Sequence, residues 1–404
     1  MSVAAIGPGA MTPQLSARRL VGAVGLALAL GYLIVLSGAY LSGQFLIDPQ
    51  GRPIANDFVN VYAAGTLVDA GDAAAAYDWP AHKAAEIRAV GHDFANYYGW
   101  HYPPTFLLVA AALATLPYLA ASLVWLIATL IAYAANLAGI LGSRAGIALA
   151  LGFPAALWNV TAGQNGFLTA TLIGGTLGLL ERHPALAGVC LGLLTYKPQF
   201  GLLFPIVLIA DRRFLTVAVA AAVAAALGLA SWLAFGRATW AAFIHATPAI
   251  SHAALSDGAI GFARMQSPFG LVRTLGGGEA LAWTVQAAAT LSLALALALM
   301  WRSRAAYDLK AAALAAGALI ATPYVFTYDL VVLAVAVAFL LRYALVRGLW
   351  VSEAAGLIAA GALILSFPYL TGQVGLCAAV IVTALAGRRA LTELNAAADV
   401  VFHR

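Results

Sequence analysis

From Leu20 to Leu41 the chain runs for 22 residues without a charge. A helix of that length crosses the hydrocarbon core of a bilayer, and the run exceeds the apolar core of a signal peptide. No small-residue cleavage pattern follows it, so a retained first span is expected. Further apolar runs follow at 119–141, 145–160, 166–180, 184–196, 199–210, 214–235, 281–301, 309–321, 328–341, 353–367 and 372–387. Several fall short of the roughly 20 residues that a straight crossing needs, which predicts broken helices shielded by their neighbours. The piece 105–116, between Pro103-Pro104 and Pro117, reads as a re-entrant or interfacial helix. Two polar stretches interrupt the series, 42–104 and 236–280. In the first, helical spacing over 57–68 and 80–97, with Asp57 and Asp78 as N-caps and Gly71 as a stop, predicts amphipathic helices on the membrane surface. The expected fold is an all-α polytopic bundle of about 12 transmembrane helices, a single membrane domain over 1–404.

Composition strengthens this reading: 63% of residues are hydrophobic and 9% charged, against about a quarter charged in a soluble domain. The net charge of +5 comes from 21 basic and 16 acidic residues, and its placement supplies a topology. With the N-terminus inside, cytoplasmic segments receive Arg18, Arg19, Arg144, Arg182, Arg212, Arg213, Arg302, Arg304, Lys310, Arg342, Arg347, Arg388, Arg389 and Arg404. The opposite face receives Arg52, Lys83, Arg88, Lys197, Arg237, Arg264 and Arg273. That bias is what the positive-inside rule requires, and it places both termini in the cytoplasm and both polar stretches outside. A multi-pass protein of the cell (inner) membrane is expected. No basic, aromatic-interleaved patch argues for nucleic acid. Cys190 and Cys377 both fall in apolar runs and have neither metal-ligand spacing nor a disulfide pattern.

This topology collects a short set of polar residues at the outer ends of spans: Asp57 and Asn60, His101 and Tyr102, Gln164 and Asn165, Lys197 and Gln199, Tyr324, Tyr328 and Asp329. Ionisable groups at membrane depth mark either a functional site or a structural pair. Lys197 and Asp329 are the two least comfortable, and pairing with each other is one reading of them. Asp57 has a bland alternative as a helix cap, Lys197 as a snorkelling lysine, Arg264 as a solvated loop arginine. Gln164 and Asn165 either serve that site or satisfy a helix break between Gly163 and Gly166. His101, His245 and His252 lack metal-ligand spacing.

Three motifs, Asn56-Asp57-Phe58-Val59-Asn60-Val61-Tyr62-Ala63-Ala64-Gly65, Tyr77-Asp78 and Tyr102-Pro103-Pro104, resemble glycosyltransferase family 87. So do Gly163-Gln164-Asn165-Gly166, Ala187-Gly188 through Lys197-Pro198, and Pro323-Tyr324 with Tyr328-Asp329. The resemblance runs from about 55 to 330, its order and spacing being more specific than any one motif. It implies the GT-C superfamily, whose members include mannosyltransferases that use polyprenyl-phosphate-mannose. On that basis Asp57 is expected to be the catalytic base. Lys197 and Arg264 are expected to bind the donor phosphate, and Asn60, His101, Gln164, Asn165, Gln199, Gln266, Tyr324, Tyr328 and Asp329 to contact substrate. The expected activity is transfer of a hexose to a lipid or glycan acceptor outside the cytoplasm. Membrane lipid, the lipid-linked donor and the acceptor are its partners, and no cofactor or metal is expected. The sequence contains no Asp-X-Asp triplet of the kind that holds a nucleotide-sugar metal. The competing reading is a secondary transporter or lipid-linked-sugar permease, whose signature also includes broken helices and buried charges.

Overall fold

The computed structural model describes residues 13–402 except Tyr97, Ser143 and Thr371. The stretch 1–12 and Arg404 lie outside the described residues. Every extended element among those described is a helix, apart from isolated bridges joining Phe45, Ile47 and Pro53.

The first span is α1 (Pro13–Leu41). Leu20, Ile34 and Leu41 expose more than half of their surface, as a helix facing lipid does. The first polar stretch folds into α2 (Phe58–Asp69), a 3-10 turn at Ala73–Tyr77 and α3 (Trp79–Val90). Asp78 caps α3 through Ala81 N–H, as its position predicted. The surface placement of α2 is not what is found. Phe58, Val59, Asn60, Val61, Ala63, Ala64, Gly65 and Leu67 are all buried, because its apolar residues cover most of the circumference and are enclosed by α3 and by α4 (Leu107–Ala114). Gly65 permits the crossing with α4: a Cβ there would lie 2.1 Å from the Ala110 carbonyl oxygen.

The bundle continues with α5 (Tyr118–Leu141), α6 (Arg144–Gly152) and α7 (Pro154–Ala162), the last two bent by 58° at Phe153-Pro154. Next come α8 (Gly166–Leu179) and α9 (Pro184–Leu193), begun by glycine and proline, and α10 (Leu203–Ala210). The helix α11 (Phe214–Ser251) carries the span past its expected end at 235. Gly236 (φ +77°, ψ 174°) breaks it there, and the part beyond continues as helix. Thus the second polar stretch is largely helical, completed by a π-helical turn at His252–Ser256 and α12 (Pro268–Thr274). The chain ends with α13 (Glu279–Arg302), α14 (Tyr307–Ile320), α15 (Val332–Arg347), α16 (Val351–Leu365) and α17 (Val374–Phe402).

Six described helices are long and apolar enough to cross a membrane, or seven if the bent α6–α7 pair forms one span. The expectation of twelve counted the bent pair, the shorter apolar helices at 166–179, 184–196, 198–210 and 351–365 and the 14-residue α14 as crossings too. Several apolar helices of this kind fit a multi-pass membrane protein. The centre is held by α8, α14 and α15. Ala311, Ala312, Ala313, Ala315, Ala316 and Ala318 of α14 are buried against α13, α15 and α17, small side chains allowing close approach where lipid provides no hydrophobic drive between helices.

The two ends of this bundle differ in charge. At one end Arg342 pairs with Asp308 and donates to the Ile140 carbonyl (3.4 Å), while Lys310 caps the Trp301 and Ser303 carbonyls (2.9 and 2.8 Å). Arg389 pairs with the buried Glu353 there (3.1 Å). The opposite end, formed by the start of α8, the end of α9 and the start of α15, holds the polar residues singled out above.

Candidate functional site

Asp57 stands at the N-cap position of α2, yet its side chain makes no capping bond. Asn56 takes that role, its Oδ1 accepting from Phe58 N–H (3.1 Å). The Asp57 backbone N–H donates to the Ala162 carbonyl (3.0 Å), tying it to the break between α7 and α8. At that break Gln164 Nε2 donates to Asp57 Oδ2 (2.9 Å). Gln164 Oε1 accepts from Asn165 N–H (3.2 Å) and from the Tyr102 hydroxyl (3.4 Å), and Asn165 Nδ2 donates to the same hydroxyl (2.7 Å). Tyr102 is itself fixed by Tyr77, whose hydroxyl donates to its carbonyl (2.9 Å). The break packs tightly: a Cβ on Gly166 would lie 2.4 Å from the Tyr328 carbonyl oxygen. Only glycine fits there, and this is what seats the Gln164 loop on the turn before α15.

That 3-10 turn, Thr327–Val331, carries Asp329. One of its oxygens accepts from Lys197 Nζ (2.8 Å) and the other from Phe326 N–H (3.1 Å). The lysine side chain is 7% and the aspartate 1% exposed, so this is a buried ion pair linking the end of α9 to the start of α15. The Tyr328 and Phe200 rings flank the ammonium at 5.3 and 5.6 Å. Gln199 is half-buried in the adjacent turn.

Arg264, in a short turn of the second polar stretch, is exposed and makes no ion pair among the described residues. Gln266 braces that turn. Its amide nitrogen donates to the Ala263 and Gly372 carbonyls (2.9 and 3.3 Å), its oxygen accepts from Gly375 N–H (2.7 Å), and its backbone N–H donates to Val325 (2.7 Å). Tyr324 packs on the small apolar cluster of the same stretch. Asn60 is buried, its carbonyl oxygen without a hydrogen-bond partner. Among the described residues no three His, Cys, Asp or Glu side chains gather as metal ligands.

Burial pushes the Asp57 carboxyl up to about 6. The Gln164 hydrogen bond and the positive charges of Lys197 and Arg264 oppose that rise, and Asp329 adds to it. His101 is exposed, yet the protein around it drives its pKa down to about 4. At neutral pH this side chain is an uncharged imidazole. Behind the Asp57 loop, α3 adds a feature that the sequence reading did not single out. Glu86 is fully buried and accepts from Tyr98 N–H (3.1 Å), while Tyr98 donates its hydroxyl to the Ala55 carbonyl (3.3 Å). Burial raises Glu86 to about 7, against the pull of Lys83.

The arrangement offers one half-buried carboxylate of moderate basicity, an arginine without an ion pair among the described residues and a neutral histidine at one end of an apolar bundle. The model of glycosyltransferase family 87 matches residues 100–325, more than half of the chain. The chain belongs to this family. It is a glycosyltransferase. No curated protein and no solved structure matches it. The matched region of the glycosyltransferase contains His101, Tyr102, Gln164, Asn165, Lys197, Gln199, Arg264, Gln266 and Tyr324. Asp57, Tyr328 and Asp329 lie outside it and join the site through the contacts above; Asn60, also outside it, is buried on α2.

Proposed function

We propose that this glycosyltransferase moves a hexose from a polyprenyl-phosphate sugar to a hydroxyl of a lipid or glycan acceptor at the extracytoplasmic face of the cell membrane, with Asp57 as general base. The observation that carries the reading is the state of the Asp57 carboxylate. It is released from capping by Asn56, held on one oxygen by Gln164, and set within the field of Lys197 and Arg264. A base of pKa about 6 is ionised at neutral pH and still strong enough to take a proton in the transition state. The acceptor hydroxyl gives its proton to Asp57 as its oxygen bonds to the anomeric carbon. The bond from that carbon to the phosphate oxygen breaks, and polyprenyl phosphate leaves with the electron pair. The leaving group needs mainly a cation beside it, so no divalent metal is required. Arg264 fills that role directly. Lys197, neutralised by Asp329, holds the site together and adds a weaker field.

The facing of the site follows from charge. Arg144, Arg182, Arg212, Arg213, Arg302, Arg304, Lys310, Arg342, Arg347, Arg388 and Arg389 lie toward the bundle end opposite Asp57, which the positive-inside rule assigns to the cytoplasm. Mannose is the first sugar to test because it is the one members of the resembled family use, and the GT-C superfamily is the architecture this reading adopts. A transporter or permease would want its ionisable groups near the bilayer midplane, whereas here they gather at one end. The test is incubation of purified protein with a panel of polyprenyl-phosphate sugars and a cell-envelope lipid extract. A mass shift of one hexose on an acceptor is expected. Uptake of a sugar or lipid-linked sugar into proteoliposomes with no covalent product would replace this reading with the permease.

A further inference from the structure

The polar chain behind Asp57 has a direction. Gln164 Oε1 is met by two donors, Asn165 N–H and the Tyr102 hydroxyl. Tyr102 donates its proton to Gln164 at 3.4 Å while its oxygen accepts from Asn165 Nδ2 at 2.7 Å. With its oxygen so engaged, the Gln164 amide presents only N–H to Asp57, and it does so at 2.9 Å. Gln164 is 7% exposed, Asn165 1% and Tyr102 8%, so water does not compete freely for these bonds.

We propose that Gln164 is a positioning residue for the transfer: it holds one carboxylate oxygen of Asp57, leaves the other for the attacking hydroxyl, and favours the ionised form of the base. The inference rests on the reading of Asp57 as that base. A hydrogen bond donated to a carboxylate stabilises the charged state, and here it acts against burial, the largest influence on Asp57. The other groups that face Asp57 come from every neighbouring element: Lys197 after α9, Arg264 in the second outer stretch, Asp329 and Tyr328 before α15, and Tyr98, Tyr102 and Glu86 from the first. Two of these are positive, Lys197 and Arg264. Neither touches the carboxylate, so neither can orient it.

Gln164→Met keeps the length and volume of the side chain and removes the donor. The readout is the infrared carboxyl band that disappears in Asp57→Asn, titrated in the purified, lipid-reconstituted full-length protein without substrate. Its midpoint should lie at about 6 in the natural protein and rise by about one to two pH units in Gln164→Met, the usual worth of a hydrogen bond to a charged group. Turnover at pH 7 should then fall about two- to tenfold and return at pH 9, because the base remains and only its ionised fraction has changed. Tyr102→Phe, which frees the amide without removing it, should shift the band in the same direction by less, and it serves as the test if Gln164→Met does not fold. An unmoved midpoint in a folded variant, or activity lost equally at every pH, would overturn the inference. Asp57→Asn is assayed alongside with polyprenyl-phosphate mannose and a cell-envelope lipid extract. If that variant is inactive while the Gln164→Met midpoint stays put, only the positioning role falls. If it keeps natural turnover, the base itself has been misassigned.

Discussion

Removing the ammonium of Lys197 should destabilise the protein far more than removing both members of its ion pair. The lysine nitrogen lies 2.8 Å from Asp329 Oδ1, with the side chains 7% and 1% exposed. In Lys197→Met the aspartate keeps only the Phe326 N–H at 3.1 Å, and a buried carboxylate stripped of its partner costs about 3–5 kcal/mol. Asp329→Leu leaves an ammonium between the Tyr328 and Phe200 rings. Cation–π attraction of about 0.5–2 kcal/mol offsets part of that loss, so this single variant should be the milder one. In the double variant no charge is left buried, and the two losses should fall short of additive by about 2–3 kcal/mol, near the top of the range for contacting pairs. The assay is equilibrium unfolding in mixed micelles, closed as a double-mutant cycle. Additivity within about 0.5 kcal/mol would refute the reasoning, and would mean that Lys197 is free in the folded protein to hold the donor phosphate.

Further expectations follow from the rest of the site. Arg264→Ala should raise the KM for the lipid-linked donor about tenfold or more, the worth of one charge-assisted contact, with a smaller change in kcat and partial recovery in Arg264→Lys; an unchanged donor KM would remove Arg264 from the phosphate. Because burial raises the Asp57 pKa to about 6, and a general base works in its ionised form, kcat/KM should fall as pH drops through about 6 and level off above about 7. A profile flat from pH 5 to 8 would show that no such group governs the reaction. Asp93→Cys and Gly277→Cys should react with an impermeant thiol reagent in spheroplasts while Ser303→Cys does not; the reverse pattern would turn the site to the cytoplasm.

How much of this was legible beforehand depended on the range of the interaction. Long uncharged runs such as α1 and α5 announce themselves, since twenty apolar residues in lipid have no other use. The break of α11 at Gly236 was placed correctly, but the helix beyond it was read as loop because its polar residues resemble a solvated segment. The enclosure of α2 was missed for a related reason: helical spacing of apolar positions cannot separate a helix on a surface from one covered by α3 and α4. Asp57 was legible as a candidate through its neighbours Asn56 and Asn60. Its lack of a capping bond was not, because spacing alone does not say whether Asp57 or its neighbour Asn56 bonds the first turn. The Lys197–Asp329 pair was one of two readings of those charges. Gln164 on Asp57 joins residues far apart in the chain where Gly163 packs against Asn56, and no local pattern encodes such a link.

The most direct test of the central claim is one transfer assay in excess EDTA, with purified natural protein and Asp57→Asn side by side, offering polyprenyl-phosphate mannose or a nucleotide sugar with cell-envelope lipids as acceptor. The account predicts a mannosylated product from the lipid-linked donor with the natural protein alone, while the variant remains folded and inserted. Product from the nucleotide sugar, loss of all transfer on chelation, or undiminished transfer by Asp57→Asn would contradict it.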